Sequence, residues 1–155
     1  MTFAFNPASV IAEDTAGFPS SDLGSVTWDG DKAYRLVKAA AEIAAAAGKV
    51  LVTAYASGVP TWAVNTTTSA GNVNVAGIVP QGIGTIPAGA FFYVQCSGPV
   101  VAVMSTDGAV GGSASTSTTA GRVLITGATA GVIGVGTLAA AEAGANGRLL
   151  LKGLL

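Results

Sequence analysis

Histidine is absent from all 155 residues of the chain. That removes the commonest general base and the commonest metal ligand together. Carboxylate chemistry comes next, and it needs two acids converging in a cleft. Only Asp107 and Glu142 lie beyond Lys49, one beside a turn-forming glycine and the other in an alanine-rich segment, so both read better as solvated loop charges. The earlier acids Glu13, Asp14, Asp22, Asp29 and Asp31 lack the alternating ligand pattern, closing on glutamate, of a calcium loop. Serines are plentiful, yet no G-x-S-x-G elbow occurs. The glycine phrases at 108–112 and 131–136 are not followed by the Lys-Ser or Lys-Thr of a phosphate loop, and they read as close-packed or bulged β segments. Cys96 ends the apolar run Phe91–Cys96 and reads as a small buried hydrophobe rather than a reactive thiol. The residues nominate no catalytic site, no metal and no cofactor, and the expectation is a protein that is not an enzyme.

What remains is chemistry of contact. Charged residues are 10% of the chain, the net charge is -1, and the seven basic residues are scattered from Lys32 to Lys152. Nucleic-acid binding needs clustered cations to displace counterions, so it is disfavoured. The candidates for contact are aromatic: Phe3, Phe5, Phe18 and Trp28, all within the first 28 residues. This stretch mixes Pro7 and Pro19 with serines, glycines and acids and shows no period. It reads as an extended N-terminal arm, residues 1–28, ahead of a β-rich domain, residues 29–155. Isolated aromatics cannot form a core on such an arm, so they pack either on the domain that follows or on another chain.

The elements that would position these residues are short strands. Turn signals recur from Asp29-Gly30 through Ser57-Gly58, Ala88-Gly89, Ser97-Gly98-Pro99 and Ala120-Gly121 to Asn146-Gly147. Between them lie β-favouring runs at 50–55, 61–64, 73–79, 91–96, 100–104, 123–126, 132–138 and 149–152. Over 31–47, the pattern places a strand at Lys32–Lys38, with Tyr34 and Leu36 on one face and Arg35 and Val37 on the other. A short helical turn is expected in the alanines that follow, although a helix over the whole segment also fits their propensity. The tracts Asn65–Ser69 and Ser113–Thr119 read as exposed polar loops. The expected fold is mainly β: a compact barrel or sandwich of short antiparallel strands with at most one short Ala-rich helix. Met1–Asn6 lacks the pattern of a signal peptide, and Pro and Gly interrupt each candidate membrane span, which suggests synthesis in a cytoplasm and no membrane partner.

The order of these elements resembles the capsid decoration, or cement, proteins of tailed bacteriophages. The likeness runs from Leu23-Gly24-Ser25-Val26 and the Asp29-Gly30 turn, through Tyr34–Ala39 and Val50–Val52, to Val75-Ala76-Gly77-Ile78-Val79-Pro80. It continues in Pro87-Ala88-Gly89-Ala90-Phe91-Phe92-Tyr93-Val94-Gln95, Ser97-Gly98-Pro99-Val100 as a turn into the next strand, and the late strands to Arg148–Lys152. The resemblance implies a non-enzymatic virion protein that binds the outer surface of an assembled head, with the major capsid protein as its partner. Copies of itself are the second expected partner, a trimer first, because apolar strand edges and the Leu154-Leu155 end would otherwise be exposed. The arm aromatics are the candidate interface. A competing reading is a receptor-binding or fibre module in which Tyr55, Trp62 or Tyr93 stacks on a sugar. A third is an enzyme with an unrecognised Asp or Ser site.

Overall fold

A computed structural model of the chain describes residues 5–11, 22–105, 111–126, 131–138 and 144–154. Among them there is no α-helix, and the chain runs through strands β1 (Val10–Ile11), β2 (Val26–Asp29), β3 (Lys32–Ala39), β4 (Val50–Ala56), β5 (Val59–Asn65) and β6 (Val75–Ile78). The long β7 (Phe91–Val103) follows, and then β8 (Ser113–Thr116), β9 (Val123–Thr126), β10 (Gly134–Leu138) and β11 (Asn146–Leu151).

Five of these close a barrel. β3 pairs antiparallel with β7, β7 with β6, β6 with β4 and β4 with β5; two parallel rungs, Lys38 to Ala63 and Ala39 to Val64, return β5 to β3. Closure removes the open edges that a five-stranded sheet would otherwise present. Inside are Val37, Leu51, Val64, Ala76, Phe92 and Val94, and Ile43, Ile83 and Ile86 close one end.

A second sheet, in the order β7-β11-β10-β8-β9, grows from the far half of β7. It curls until Met104, just past β7, forms a parallel bridge to Val123 of β9. Its core of Met104, Ala114, Ile125, Ile133, Leu149 and Leu151 also takes in Val50 and Ile78 from the barrel strands. β11 shows the alternation of a half-buried strand: Leu149 and Leu151 point inward, Arg148 and Leu150 outward. Gly134 and Gly136 lie in β10, as expected, whereas Gly131 precedes it and Gly111 and Gly112 precede β8; residues 108–110 lie outside the described residues. Gly111 N–H donates to the Gly136 carbonyl at 2.7 Å, and a Cβ at Gly134 would lie 2.2 Å from the Leu150 oxygen.

Three local expectations are corrected. The runs 91–96 and 100–104 were separated by a turn at Ser97-Gly98-Pro99, but they form one strand that bends there, with Gly98 at φ 88°. The bend is held by the Gln95 side-chain amide, which donates to the Ser97 and Pro99 carbonyls at 3.0 and 2.8 Å. Each half of β7 finds its own partner, β3 before the bend and β11 after it, so the turn residues serve a bulge instead of a reversal.

Most of the tract Ser113–Thr119 is not an exposed loop: Ser113–Thr116 form β8, and Ser115, Thr116 and Ser117 are buried, while Thr118 and Thr119 are exposed outside the strand as expected. Small hydroxyls are cheap to bury when each finds a partner. Thr116 Oγ1 donates to the Ser69 carbonyl at 2.7 Å and accepts from Asn72 N–H at 2.8 Å, while Ser117 Oγ sits 2.7 Å from Ser105 Oγ.

The helical turn expected after β3 is also absent. Ile43 exchanges both backbone hydrogen bonds with Ile86, and Ala46 and Ala47 donate to the carbonyls of Gly84 and Ile83. Those amides are spent on the facing loop, so they are not available for an i−4 ladder, and Ile43 is left as a plug in the barrel end.

The boundary expected at residue 28 falls inside β2, which pairs with β3 along its whole length. β1, from the same N-terminal stretch, pairs with β7.

Candidate functional site

The β4–β5 hairpin turns through Ser57 and Gly58, both at positive φ, as a two-residue loop between right-twisting strands requires. Further along, β5 holds more residues than β4 across from it: Thr53 faces Val64 and Tyr55 faces Pro60. The surplus forms a bulge at Thr61 to Ala63, where Thr61 Oγ1 donates to the Ala54 carbonyl at 3.1 Å. At its centre Trp62 sits at φ 56°, a left-handed conformation that a bulky side chain adopts rarely and at a cost. The bulge re-aims the indole toward β3, against Gly24, where a Cβ would lie 2.1 Å from the indole nitrogen.

The indole faces a guanidinium. Arg35, on the same face of β3 as Val37, is only 4% exposed, and its Cζ lies 4.2 Å from the centre of the Trp62 ring. Nη1 donates to the Leu154 carbonyl at 2.6 Å, whereas Nε is buried with no hydrogen-bond partner. Among the described residues no carboxylate forms an ion pair with it. Burial pushes the Arg35 pKa down, and Cys96 and Tyr55 oppose that shift. The guanidinium nonetheless stays charged, as arginine does in proteins.

Arg35 and Trp62 line an open cleft of 370 Å³ together with Thr53, Tyr55 and Asn74. Tyr55 is half exposed. Strain, an orphaned donor and a cleft therefore coincide, and the chemistry on offer is recognition of an anion beside an aromatic surface. A larger cavity of 460 Å³ lies between β3, β7 and β11, with Lys32, Tyr34, Gln95 and Arg148 in its walls. It offers less, because the Gln95 amide is already committed to the β7 bend.

The arm aromatics sit apart from this cleft. Phe5 is half-buried and packs on its own barrel, its ring 5.3 Å from Tyr34 and 5.0 Å, edge-on, from Tyr93. Trp28 is 58% exposed on β2. Phe3 and Phe18 lie outside the described residues. Of the three aromatics considered for sugar stacking, Tyr55 and Trp62 share the cleft, and Tyr93 belongs with Phe5. Trp62 is covered by Arg35, which leaves Tyr55 as the open platform. Cys96 is buried, its thiol directed at the Ala33 carbonyl, and burial pushes its pKa up. Arg35 was not singled out from sequence, but a signal was there: a charge on the same face as Val37, a core residue.

Phe5 marks a pH-sensitive contact. Tyr34 and Tyr93 ionise above the ordinary tyrosine range, chiefly because they are buried and secondarily because of Asp29 and Asp31 for Tyr34 and Asp22 for Tyr93. The unfolded chain would release these protons first, so stability falls as pH rises. The contribution is whole below the ordinary tyrosine value and is lost as pH climbs through the raised ones. Phenolate absorbance compared with Tyr34→Phe and Tyr93→Phe is expected to show both groups ionising late; ionisation at the ordinary value with the fold intact would contradict this packing.

Compared with known proteins, the sequence matches no family model and no curated relative. In structure it is similar to the crystal structure of the head fiber gp8.5 N base of bacteriophage phi29, with a TM-score of 0.56 at 14% sequence identity. The similarity covers 77% of this chain and 92% of that one, so the two share a fold.

Proposed function

We propose that the chain is a non-enzymatic structural protein of a phage virion, which binds the exterior of the capsid and reinforces it. The observation that carries this reading is the fold shared with a phage head fiber base over nearly all of that base. A low-charge chain suits the role, because weak contacts become durable when repeated over a lattice. Reinforcement then follows by mass action: a protein that binds only the assembled shell stabilises it.

The contact surface we favour is β2. Its outer edge carries no strand among the described residues, and Val26 and Trp28 are exposed on it two residues apart. An edge of this kind accepts a strand from a partner, and an aromatic supplies the anchor. The partners proposed are the major capsid protein and further copies of this chain, a trimer first. Leu154 does not argue for self-association, since it packs on the second core.

The test is to mix purified protein with assembled heads that lack it, measure saturable co-sedimentation, and then heat the heads. Binding in a fixed ratio to the capsid protein and delayed rupture are expected. Trp28→Ala is expected to weaken binding by about 2 kcal/mol, roughly 30-fold, with stability unchanged. Heads that neither bind the chain nor gain heat resistance would refute the proposal.

A second reading, a fibre or receptor-binding module, is favoured by one observation, the cleft at Arg35. Binding of the chain to host cells, lost with Tyr55→Ala, would select it.

A further inference from the structure

We propose that the cleft at Arg35 and Trp62 binds a carboxylate-bearing saccharide, with the acid group on the Arg35 guanidinium and the sugar ring against Tyr55. This inference stands apart from the capsid reading, since it rests only on the cleft.

The Arg35 guanidinium has an incomplete set of partners. A buried guanidinium has five N–H donors, and among the described residues one protein acceptor is in place, the Leu154 carbonyl. Burying that charge is costly unless an anion completes it, and a planar carboxylate matches the guanidinium fork. Among the described residues no acidic side chain lines the cleft.

Backbone strain at Trp62 points the same way. A tryptophan held at φ 56° in a bulge fixes the cation in place by stacking on it, which gives a preformed receptor for charge.

The remaining walls are wrong for a bare anion. Tyr55 offers a half-exposed ring beside the charge. The Asn74 side-chain amide, with no intramolecular hydrogen bond among the described residues, suits the hydroxyls of a pyranose; the buried Thr53 hydroxyl already donates to the Ala54 carbonyl at 3.2 Å and keeps only its acceptor side. The volume, 370 Å³, falls in the range of small-molecule sites, roughly 300–1,000 Å³. A neutral sugar would leave the guanidinium unpaired, and a simple anion would leave the aromatic ring and the amide unused.

The experiment is a titration of the full chain with sodium glucuronate, followed by tryptophan fluorescence and by ligand-observed NMR. Glucose, acetate and a short glutamate-rich peptide are run alongside. Saturable glucuronate binding in the millimolar range is expected, with glucose and acetate each at least about tenfold weaker. Tyr55→Ala and Asn74→Ala should each lower glucuronate affinity about fivefold or more while keeping the thermal midpoint. Arg35→Gln should abolish binding, and because that variant alters a buried site, the Tyr55 and Asn74 variants carry the conclusion if it fails to fold.

Equal binding of glucose, equal binding of acetate without dependence on Tyr55, or binding of the peptide alone would each overturn the assignment. So would the absence of saturable glucuronate binding. Head binding by Tyr55→Ala, measured separately, is expected to be normal, so either proposal can fail while the other stands.

Discussion

Replacing Gly98 with alanine is expected to destabilise the protein by about 2–5 kcal/mol, from left-handed backbone strain and overpacking together. The residue sits at the bend of β7, the strand that both cores share, at φ 88°. A Cβ there would lie 2.4 Å from the Asp31 carbonyl oxygen and 3.3 Å from the Lys32 Cα. Both obstacles are backbone, so no side chain can swing aside to admit it. The strand would have to move off β3, or the β2–β3 turn would have to open. Gly30→Ala is the control: its φ of 61° imposes a similar backbone strain, but nothing lies within 4 Å of the added carbon. It is expected to cost only about 1–2 kcal/mol. Denaturant unfolding of the two variants measures the difference. Equal losses would mean that the close approach at the bend contributes nothing.

Phe92→Ala is expected to cost about 3–5 kcal/mol, with a fall in thermal midpoint of roughly 6–20 °C. Phe92 is fully buried and is the bulkiest side chain in the barrel interior. On β7 it stands in register with Val37 of β3 on one side and Val10 of β1 on the other. The rest of that core is Val, Ile, Leu and Ala, so few neighbours can reach across the space left by the ring. Phe92→Leu should recover much of the loss, because it keeps most of the packed volume. A thermal midpoint for Phe92→Ala within a few degrees of the parent would show that the barrel is not packed around this ring.

The local grammar of the fold was legible in the sequence, and its closure was not. Runs such as 123–126 became strands as written, and Ser57-Gly58 became a hairpin turn, because both are decided by neighbours in the chain. Ser97-Gly98-Pro99 misled because glycine freedom serves a bend as well as a reversal, and only the partners on each side decide which. The Ser and Thr tract misled because polarity predicts exposure only when hydroxyls lack partners; here Ser69 and Asn72 supply them from a distant loop.

The parallel rungs between β3 and β5 that close the barrel leave no mark in either strand. The cleft is harder still to read. It joins Arg35 to Trp62 across a bulge and to Leu154, 119 residues away. Its one local trace is a charge sharing a strand face with Val37. The arm aromatics were visible as types, but which surface each one meets is a question of tertiary packing: Phe5 lies on its own barrel and Trp28 faces outward.

The capsid reading is tested by an icosahedral reconstruction of heads saturated with the chain. Density for the two-core β domain, repeated at equivalent positions on the outer surface with β2 against the shell, is the expected result. A surface bare of the chain, in heads to which it has been supplied in excess, would contradict the account.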